Sequence, residues 1–281
     1  MVTTVALNDG TAIPQLGFGT YLIPAEQTGI IVGKAIEAGY RHIDTAQMYG
    51  NEEGVGQAIA ASGIERKDFY VTSKLNNGNH QADDVRRTFD ETLTKLGLEY
   101  LDLFLIHWPL PMLYGGDFVS TWKALVGLLT DGRLRTAGVS NFEPAHLERI
   151  IDETGVVPAV NQIEAHPYFA NDGARQASLS HGIVVEAWSP LGQGAVLSDP
   201  EIAKVAADHE KSVSQIILRW HVQRGDVVFP KTTRPERMDE NLQVFDFSLT
   251  ADQMRAIDAL DRGEVGRVGP HPNDFDYVPI G

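Results

Sequence analysis

The sequence contains no cysteine among its 281 residues. This absence excludes disulfide bonds and thiolate metal sites, and it is consistent with a reducing compartment. The sequence also has no apolar run long enough to span a bilayer. Its first residues, MVTTVALNDG, lack the basic and apolar regions of a signal peptide. We therefore expect a cytoplasmic protein that does not insert into membranes.

Positive charge is scarce, with 23 Lys and Arg residues against 38 Asp and Glu residues and a net charge of −15. Such a surface repels nucleic acids and anionic membranes, so neither is an expected partner. Any anionic ligand must then be held by a local cluster of basic residues, and the expected partner is a small molecule.

Signals for metal and serine chemistry are also missing. Four of the nine histidines, His42, His80, His107 and His166, show no close ligand spacing. No G-x-S-x-G motif is present, so a serine nucleophile is unsupported. We expect no metal, and the chemistry that remains is proton transfer by Tyr, Lys, His and Asp side chains.

The hydrophobic fraction of 43% is enough for a large core. Although length alone is compatible with two domains, α/β barrels of this size are often a single domain. No change in composition marks a boundary. We therefore expect one domain over residues 1–281.

The chain begins with a predicted hairpin, VALNDGTAIPQ, whose turn is Asn8-Asp9-Gly10. Short apolar segments then alternate with amphipathic helices, which is typical of a parallel sheet covered by helices. The predicted helices include Asp84–Leu96, Pro144–Glu153 and Ser214–Gln223. The eight predicted strands are Leu16–Gly19, His42–Ala46, Tyr70–Leu75, Leu101–His107, Arg135–Asn141, Pro158–Glu164, Ile183–Pro190 and Val227–Lys231.

Eight such repeats favour a closed (β/α)₈ TIM barrel. The alternative is an open doubly wound sheet, which usually carries a glycine fingerprint after its first strand. The stretch GFGTYL (Gly17–Leu22) has two glycines but lacks the third. We therefore favour the barrel.

Polar residues stand at the carboxyl ends of the predicted strands, where barrel enzymes place their chemistry. Taken singly, each has an ordinary structural explanation, such as helix capping, packing or ion pairing. Their joint placement at one mouth favours an active site. They are Asp44 and Tyr49, Lys74, His107, Ser140 and Asn141, Asn161 and Gln162, Trp188 and Ser189, and Lys231.

The motifs around these residues resemble those of the aldo-keto reductases over essentially the whole chain. They are GYRHIDTAQMYGNEEGVG, LDLFLIHWP, GVSNF, AVNQIEAHP, WSPLGQG and FPKTTRPERMDENLQVFDF. NEEGVG, PLGQG and the ending GRVGPHPND are most similar to the prokaryotic 2,5-diketo-gluconate reductase-like group. The resemblance implies a (β/α)₈ barrel with an N-terminal β-hairpin closing its bottom.

The resemblance further implies NADPH-dependent reduction of aldehydes and ketones to alcohols. Asp44, Tyr49, Lys74 and His107 match the catalytic tetrad of the family. In that scheme Tyr49 donates the proton, Lys74 lowers the pKa of Tyr49, and Asp44 orients Lys74. His107 would donate a hydrogen bond to the carbonyl oxygen.

Cofactor residues carry over from the family in the same way. Ser140, Asn141 and Gln162 match the groups that hold the carboxamide, and Trp188 replaces an aromatic that stacks on the nicotinamide. Ser189 and Leu191 match contacts of the pyrophosphate loop. The adenosine-phosphate stretch corresponds to Phe229, Lys231, Thr232, Thr233, Arg237, Glu240 and Asn241, and Arg267 is added from the C-terminal motif.

The expected substrate pocket contains Tyr21, Asn76 and Trp108. Many relatives carry Trp at the positions of Tyr21 and Asn76, so a wider and more polar pocket is expected. It would suit small α-dicarbonyls or keto-sugars.

The alternative function is a barrel that binds NADPH with a regulatory or structural role and little turnover. The intact tetrad favours the enzyme. We also expect the protein to be a monomer. A third alternative is a phosphate-handling barrel enzyme of another family. It is disfavoured because the sequence has no glycine-rich loop after strand seven or eight, where GQG at Gly192–Gly194 comes nearest to one.

Overall fold

The computed structural model of the protein describes residues 2–279. It begins with an antiparallel hairpin of strands β1 (Thr4–Ala6) and β2 (Ala12–Pro14), with Val5 opposite Ile13. Gly10 in the connecting turn has a φ of +86°, a conformation that glycine adopts without steric cost. The predicted hairpin is confirmed.

Eight parallel strands follow, and each pairs with its neighbour in chain order. A parallel bridge between Leu16 and Val228 joins the first and last strands, and Gly17 N donates to Val228 O at 2.7 Å. The sheet is therefore closed, and the predicted (β/α)₈ barrel is confirmed. The strands are β3 (Phe18–Gly19), β4 (His42–Asp44), β5 (Tyr70–Leu75), β6 (Leu101–Ile106), β7 (Leu134–Ser140), β8 (Val160–Glu164), β9 (Val184–Trp188) and β10 (Val227–Val228).

Several strands are shorter than predicted. The last predicted strand ran to Lys231, but β10 ends at Val228, and Pro230 beyond it has no N–H to donate to a ladder. The seventh was predicted to reach Pro190, but β9 ends at Trp188 because Ser189 turns the chain with a φ of +48°. Both differences fall at the barrel mouth, where irregular backbone shapes the site.

Helices cover the outside of the barrel. The three predicted examples are present, each longer by one or two residues than expected, because their capping residues lie further out. None of the helices in residues 2–279 is long and apolar enough to cross a membrane. They are α1 (Ala25–Ala38), α2 (Glu52–Ala61), α3 (Ala82–Leu96), α4 (Phe118–Gly127), α5 (Pro144–Thr154), α6 (Asp172–Ser180), α7 (Pro200–Asp208), α8 (Val213–Arg224), α9 (Pro235–Leu242) and α10 (Ala251–Asp258).

The hairpin packs into the bottom of the barrel. Leu7 and Ile13 form one buried cluster with Leu103, Val160 and Val227, which lie on three barrel strands. Burial of these aliphatic side chains contributes roughly 1.5–3 kcal/mol each. This packing fills the bottom of the barrel with apolar side chains. The candidate site residues lie at the opposite end, the mouth.

Candidate active site

The centre of the mouth is a hydrogen-bonded group formed by Asp44, Lys74 and Tyr49. Lys74 Nζ donates to Asp44 Oδ1 at 2.6 Å, to Thr45 O at 2.9 Å and to the Tyr49 hydroxyl at 3.4 Å. The Lys74 side chain is fully buried, and that of Asp44 is 3% exposed. A buried ammonium group is therefore held between a carboxylate and a phenol.

Local structure explains why Tyr49 reaches this position. A short 3-10 helix, Gln47–Tyr49, follows β4 and ends at Gly50, whose φ is +65°. Asn51 then ties the turn down, because its amide donates to Thr20 O at 3.0 Å and accepts from the Thr45 hydroxyl at 2.9 Å. The polar and glycine-rich residues after the strand thus hold the phenol over Lys74.

The electrostatics keep Tyr49 protonated at neutral pH. Burial raises the pKa of Tyr49 to about 12, against the opposing effect of Lys74. The predicted lowering by Lys74 is present, but it does not outweigh burial. Burial also disfavours the charged form of Lys74, but Asp44 and Tyr49 more than compensate, so the pKa of Lys74 is raised. The group therefore holds a cation beside a neutral phenol.

His107 follows directly after β6 and faces Tyr49, with ring centroids 5.8 Å apart and an interplanar angle of 74°. Burial and the charge of Lys74 lower the pKa of His107 well below its usual value, so the imidazole is neutral. Its Nδ1 atom is buried and has no hydrogen-bond partner within residues 2–279. The four tetrad residues are thus brought together as predicted.

A second phenol lies at the same mouth. The Tyr21 ring stands 5.1 Å from that of Tyr49, and 55% of Tyr21 is exposed. Of these two phenols, only Tyr49 accepts a hydrogen bond from Lys74 within the described residues.

The predicted carboxamide group forms one network beside the tetrad. Asn141, held at a φ of +63°, donates from Nδ2 to His107 O at 2.9 Å and to Ser140 Oγ at 3.0 Å. Its Oδ1 accepts from Trp188 Nε1 at 2.8 Å. Ser140 Oγ in turn donates to Gln162 O at 2.8 Å. These bonds couple the ends of four strands around the tetrad.

The predicted phosphate-binding stretch lies where β10 meets β3. A Cβ atom at Gly19 would lie only 2.7 Å from Phe229 O, so glycine is needed for this close approach. Lys231 and Arg237 are exposed and form no salt bridge with any acid of residues 2–279. Unpaired cations in so acidic a chain suit an anionic ligand. Arg234, a third exposed cation in the stretch, was missed by the sequence analysis, although its place between Lys231 and Arg237 was a usable signal.

The remaining cofactor residues differ in their surroundings. Thr232 and Asn241 are buried, and Thr233 is exposed. Glu240 accepts a hydrogen bond from the Ser212 hydroxyl. Arg267 pairs with Glu264 at 2.7 Å and stacks 4.4 Å from the Phe169 ring, so acidic and aromatic neighbours already occupy its guanidinium.

The carboxyl-terminal segment forms part of the mouth, which the sequence analysis missed. Phe275 packs on Trp108 with ring centroids 4.2 Å apart. The amide of Asn77 donates to Tyr277 O at 2.8 Å. Local sequence patterns do not predict contacts between residues so far apart in the chain. Asn76 precedes Asn77 in the chain, and its backbone N–H donates to Gln47 Oε1 at 2.8 Å.

Comparison with known proteins agrees with this geometry. The model of the Aldo/keto reductase family matches residues 15–262. An aldo-keto reductase of Mycolicibacterium smegmatis is 47% identical over 99% of this chain and 100% of its own length. Methylglyoxal reductase DkgA of Yersinia pestis is 43% identical over 98% of both chains. The crystal structure of a Gox0644 mutant in complex with NADPH matches with a TM-score of 0.94 and 44% identity, covering 99% of this chain and 100% of that one.

A closed parallel barrel with a Tyr–Lys–Asp–His group at its mouth defines a carbonyl-reducing oxidoreductase. The chain belongs to the aldo/keto reductase family. The predicted family, the enzyme class of NADP-dependent oxidoreductase and the cofactor NADPH are thereby confirmed.

Proposed function

We propose that the protein reduces small, polar aldehydes and ketones, such as α-dicarbonyls and keto-sugars, to alcohols with Tyr49 as the proton donor. The observation that carries this proposal is the placement of Lys74 Nζ between Asp44 Oδ1, at 2.6 Å, and the Tyr49 hydroxyl, at 3.4 Å. A developing alkoxide needs a proton, and a positioned phenol beside a cation can supply it.

Each side chain of the group has a separate role in carbonyl reduction. Bound NADPH supplies the hydride that is added to the carbonyl carbon. Tyr49 holds its proton at neutral pH and gives it to the developing alkoxide. Lys74 stabilises the phenolate that remains, and Asp44 holds Lys74 in place. Neutral His107 donates an N–H to the carbonyl oxygen and orients it.

The residues present fit NADPH better than NADH. Lys231 and Arg237 are exposed and have no acidic partner within residues 2–279, and a guanidinium can bind a phosphate through two hydrogen bonds. We propose that these two side chains, with the hydroxyls of Thr232 and Thr233, hold the 2′-phosphate. Ser140, Asn141 and Gln162 would hold the carboxamide. Further contacts are proposed for Trp188, Ser189, Leu191, Phe229, Glu240, Asn241 and Arg267.

The substrate class rests on a relative and on one side chain. A relative with 43% identity is named methylglyoxal reductase. Asn76 offers an amide at the mouth, and such a donor and acceptor reduces the desolvation cost of a polar dicarbonyl. Tyr21 and Trp108 are the proposed aromatic walls. A single cytoplasmic domain that works as a monomer remains a prediction, which gel filtration and cell fractionation would check.

The test compares Tyr49→Phe with Tyr21→Phe in an NADPH-oxidation assay with methylglyoxal and phenylglyoxal. Loss of the proton donor should lower kcat by about 10²–10⁴-fold with NADPH binding nearly intact. Tyr21→Phe removes a hydroxyl from the same mouth and should keep most of the activity. Substantial turnover by Tyr49→Phe would show that the donor is elsewhere. No turnover by the unmodified protein would favour an NADPH-binding regulatory role.

A further inference from the structure

A second carboxyl group lies inside the barrel below the tetrad. Glu186, on β9, is opposite Gln162 in the parallel register, and its side chain is fully buried. Glu186 Oε2 accepts a hydrogen bond from Gln162 Nε2 at 2.8 Å. Its other oxygen, Oε1, has no hydrogen-bond partner within residues 2–279. One oxygen of this carboxyl group is therefore buried without a hydrogen bond from the described residues.

The same amide nitrogen connects Glu186 to the tetrad. Gln162 Nε2 also donates to Asp44 Oδ2 at 2.9 Å. Each hydrogen of the amide is thus used by a different carboxyl group. The reversed amide would direct its oxygen at two acceptors, so the carboxyl groups determine which way Gln162 points. Its oxygen is then left for a donor that enters the site.

We propose that Glu186 is a positioning residue of the reaction centre: it orients the amide of Gln162, and when it ionises it adds a negative charge beside Asp44 and Lys74. This inference rests on the proposed function, because it concerns how Tyr49 exchanges its proton and how Gln162 meets the cofactor.

No charged cation within residues 2–279 forms an ion pair with Glu186. His42 Nε2 approaches Glu186 Oε1 to 3.9 Å, but burial lowers the pKa of His42 to about 4, so this contact is not an ion pair. Lys74 is already hydrogen-bonded to Asp44 and Tyr49. The remaining titratable neighbour is Tyr70 on β5, whose pKa is raised well above its usual value by burial and by Glu186 itself.

These surroundings favour the neutral acid. Burial, reinforced by the charge of Asp44, raises the pKa of Glu186 to about 8. At neutral pH the group still accepts the hydrogen bond from Gln162 without bringing a second negative charge. Above pH 8 the new charge opposes the effect of Lys74 on Tyr49 and raises the pKa of Tyr49. The proton-donating phenol is then retained for reduction, and the phenolate needed for alcohol oxidation becomes scarcer.

The experiment uses Glu186→Gln, which keeps an acceptor for Gln162 but cannot ionise, and Glu186→Leu, which removes both properties. Infrared difference spectra of the cofactor-free, unmodified protein should show the band of a protonated carboxyl group at pH 7 that disappears by pH 9. Glu186→Gln should lack this signal. The rate of alcohol oxidation rises with pH as the Tyr49 phenolate forms, and in Glu186→Gln this rise should shift to lower pH by roughly 0.5–1 unit.

Measurements of cofactor affinity distinguish the effect of Glu186 on the orientation of Gln162 from the effect of its charge. Fluorescence titration should show NADPH binding weakened by roughly 2–10-fold in Glu186→Leu, as expected for one lost hydrogen bond, and restored in Glu186→Gln. A normal acidic titration of Glu186, or identical pH profiles in the unmodified protein and Glu186→Gln, would overturn the proposal. Failure of the proposed function would appear separately, as turnover retained by Tyr49→Phe, while the infrared and binding measurements still report on Glu186.

Discussion

The ammonium group of Lys74 on β5 lies 2.6 Å from the carboxylate of Asp44 on the neighbouring strand β4, and both side chains are buried. Removing one partner of a buried pair leaves an uncompensated charge. We expect Asp44→Asn to lower the free energy of unfolding by about 3–5 kcal/mol. Urea denaturation measures this loss.

The matched control for that change is Asp252→Asn. Asp252 pairs with Arg255 on α10, and both side chains are largely exposed. Exposed pairs contribute about 0–1 kcal/mol, so this variant should unfold almost like the unmodified protein. Equal losses in the two variants would contradict the special role of burial at Asp44.

Replacing both cations of the phosphate stretch should change cofactor preference. Each charge-assisted contact contributes about 1.5–3 kcal/mol. Lys231→Met combined with Arg237→Ala should therefore weaken NADPH binding far more than NADH binding, because NADH has no 2′-phosphate. Titration of each cofactor against protein fluorescence measures the two affinities.

The control for this double variant is Lys204→Met combined with Arg86→Ala. Both residues are exposed and form no salt bridge within residues 2–279, so the two double variants share the same net charge of −17, two below −15. The control should bind both cofactors normally. Equal losses for NADPH and NADH in the test variant would refute the assignment.

Asn76→Trp should move substrate preference towards apolar aldehydes. An indole adds roughly 150–250 Å² of apolar surface and removes an amide that can bind a polar carbonyl. The ratio of kcat/KM for a bulky apolar aldehyde to that for methylglyoxal should therefore rise. An unchanged ratio would mean that Asn76, whose Oδ1 accepts from Gly78 N at 3.4 Å, serves its own loop rather than the substrate.

Asn77→Ala should release the carboxyl-terminal segment from the barrel mouth. The substitution removes the hydrogen bond to Tyr277 O but leaves Asn77 O, which accepts from the Tyr114 hydroxyl at 2.7 Å. We expect faster proteolysis near Tyr277 and a higher KM for carbonyl substrates. Asn79→Ala, in the same loop, removes an amide that donates to Gln47 Oε1 at 3.4 Å and should leave both properties unchanged.

The buried acid Glu186 predicts a pH-dependent stability difference. Its pKa is raised from 4.5 to about 8, so the folded state binds more protons than the unfolded state between these values. The protein should therefore lose stability relative to Glu186→Gln as pH rises through this window, by about 1.4 kcal/mol per pH unit at most. The difference should level off above pH 8. Parallel stability curves from pH 5 to 8 would exclude the raised pKa.

Much of the architecture could be predicted because its signals are local. A hairpin turn and apolar strands that alternate with amphipathic helices are visible in short windows of sequence. Asp44, Tyr49, Lys74 and His107 could be identified because each follows or ends a strand whose position was clear. Strand ends were less accurate, since Pro230 and the positive φ of Ser189 stop the ladder at points that strand propensity does not mark.

The sequence by itself determined the family and the barrel, and it predicted that Asp44, Tyr49, Lys74 and His107 lie together at the mouth. Only the tertiary structure decided which groups act on one another. Gln162 meets Asp44 across 118 residues of chain, and Asn77 meets Tyr277 across 200. The neutral state of Glu186 likewise depends on burial and on Asp44, neither of which a strand pattern specifies. Local periodicity determines which face of a strand a side chain occupies, but closure of the barrel determines what lies opposite it.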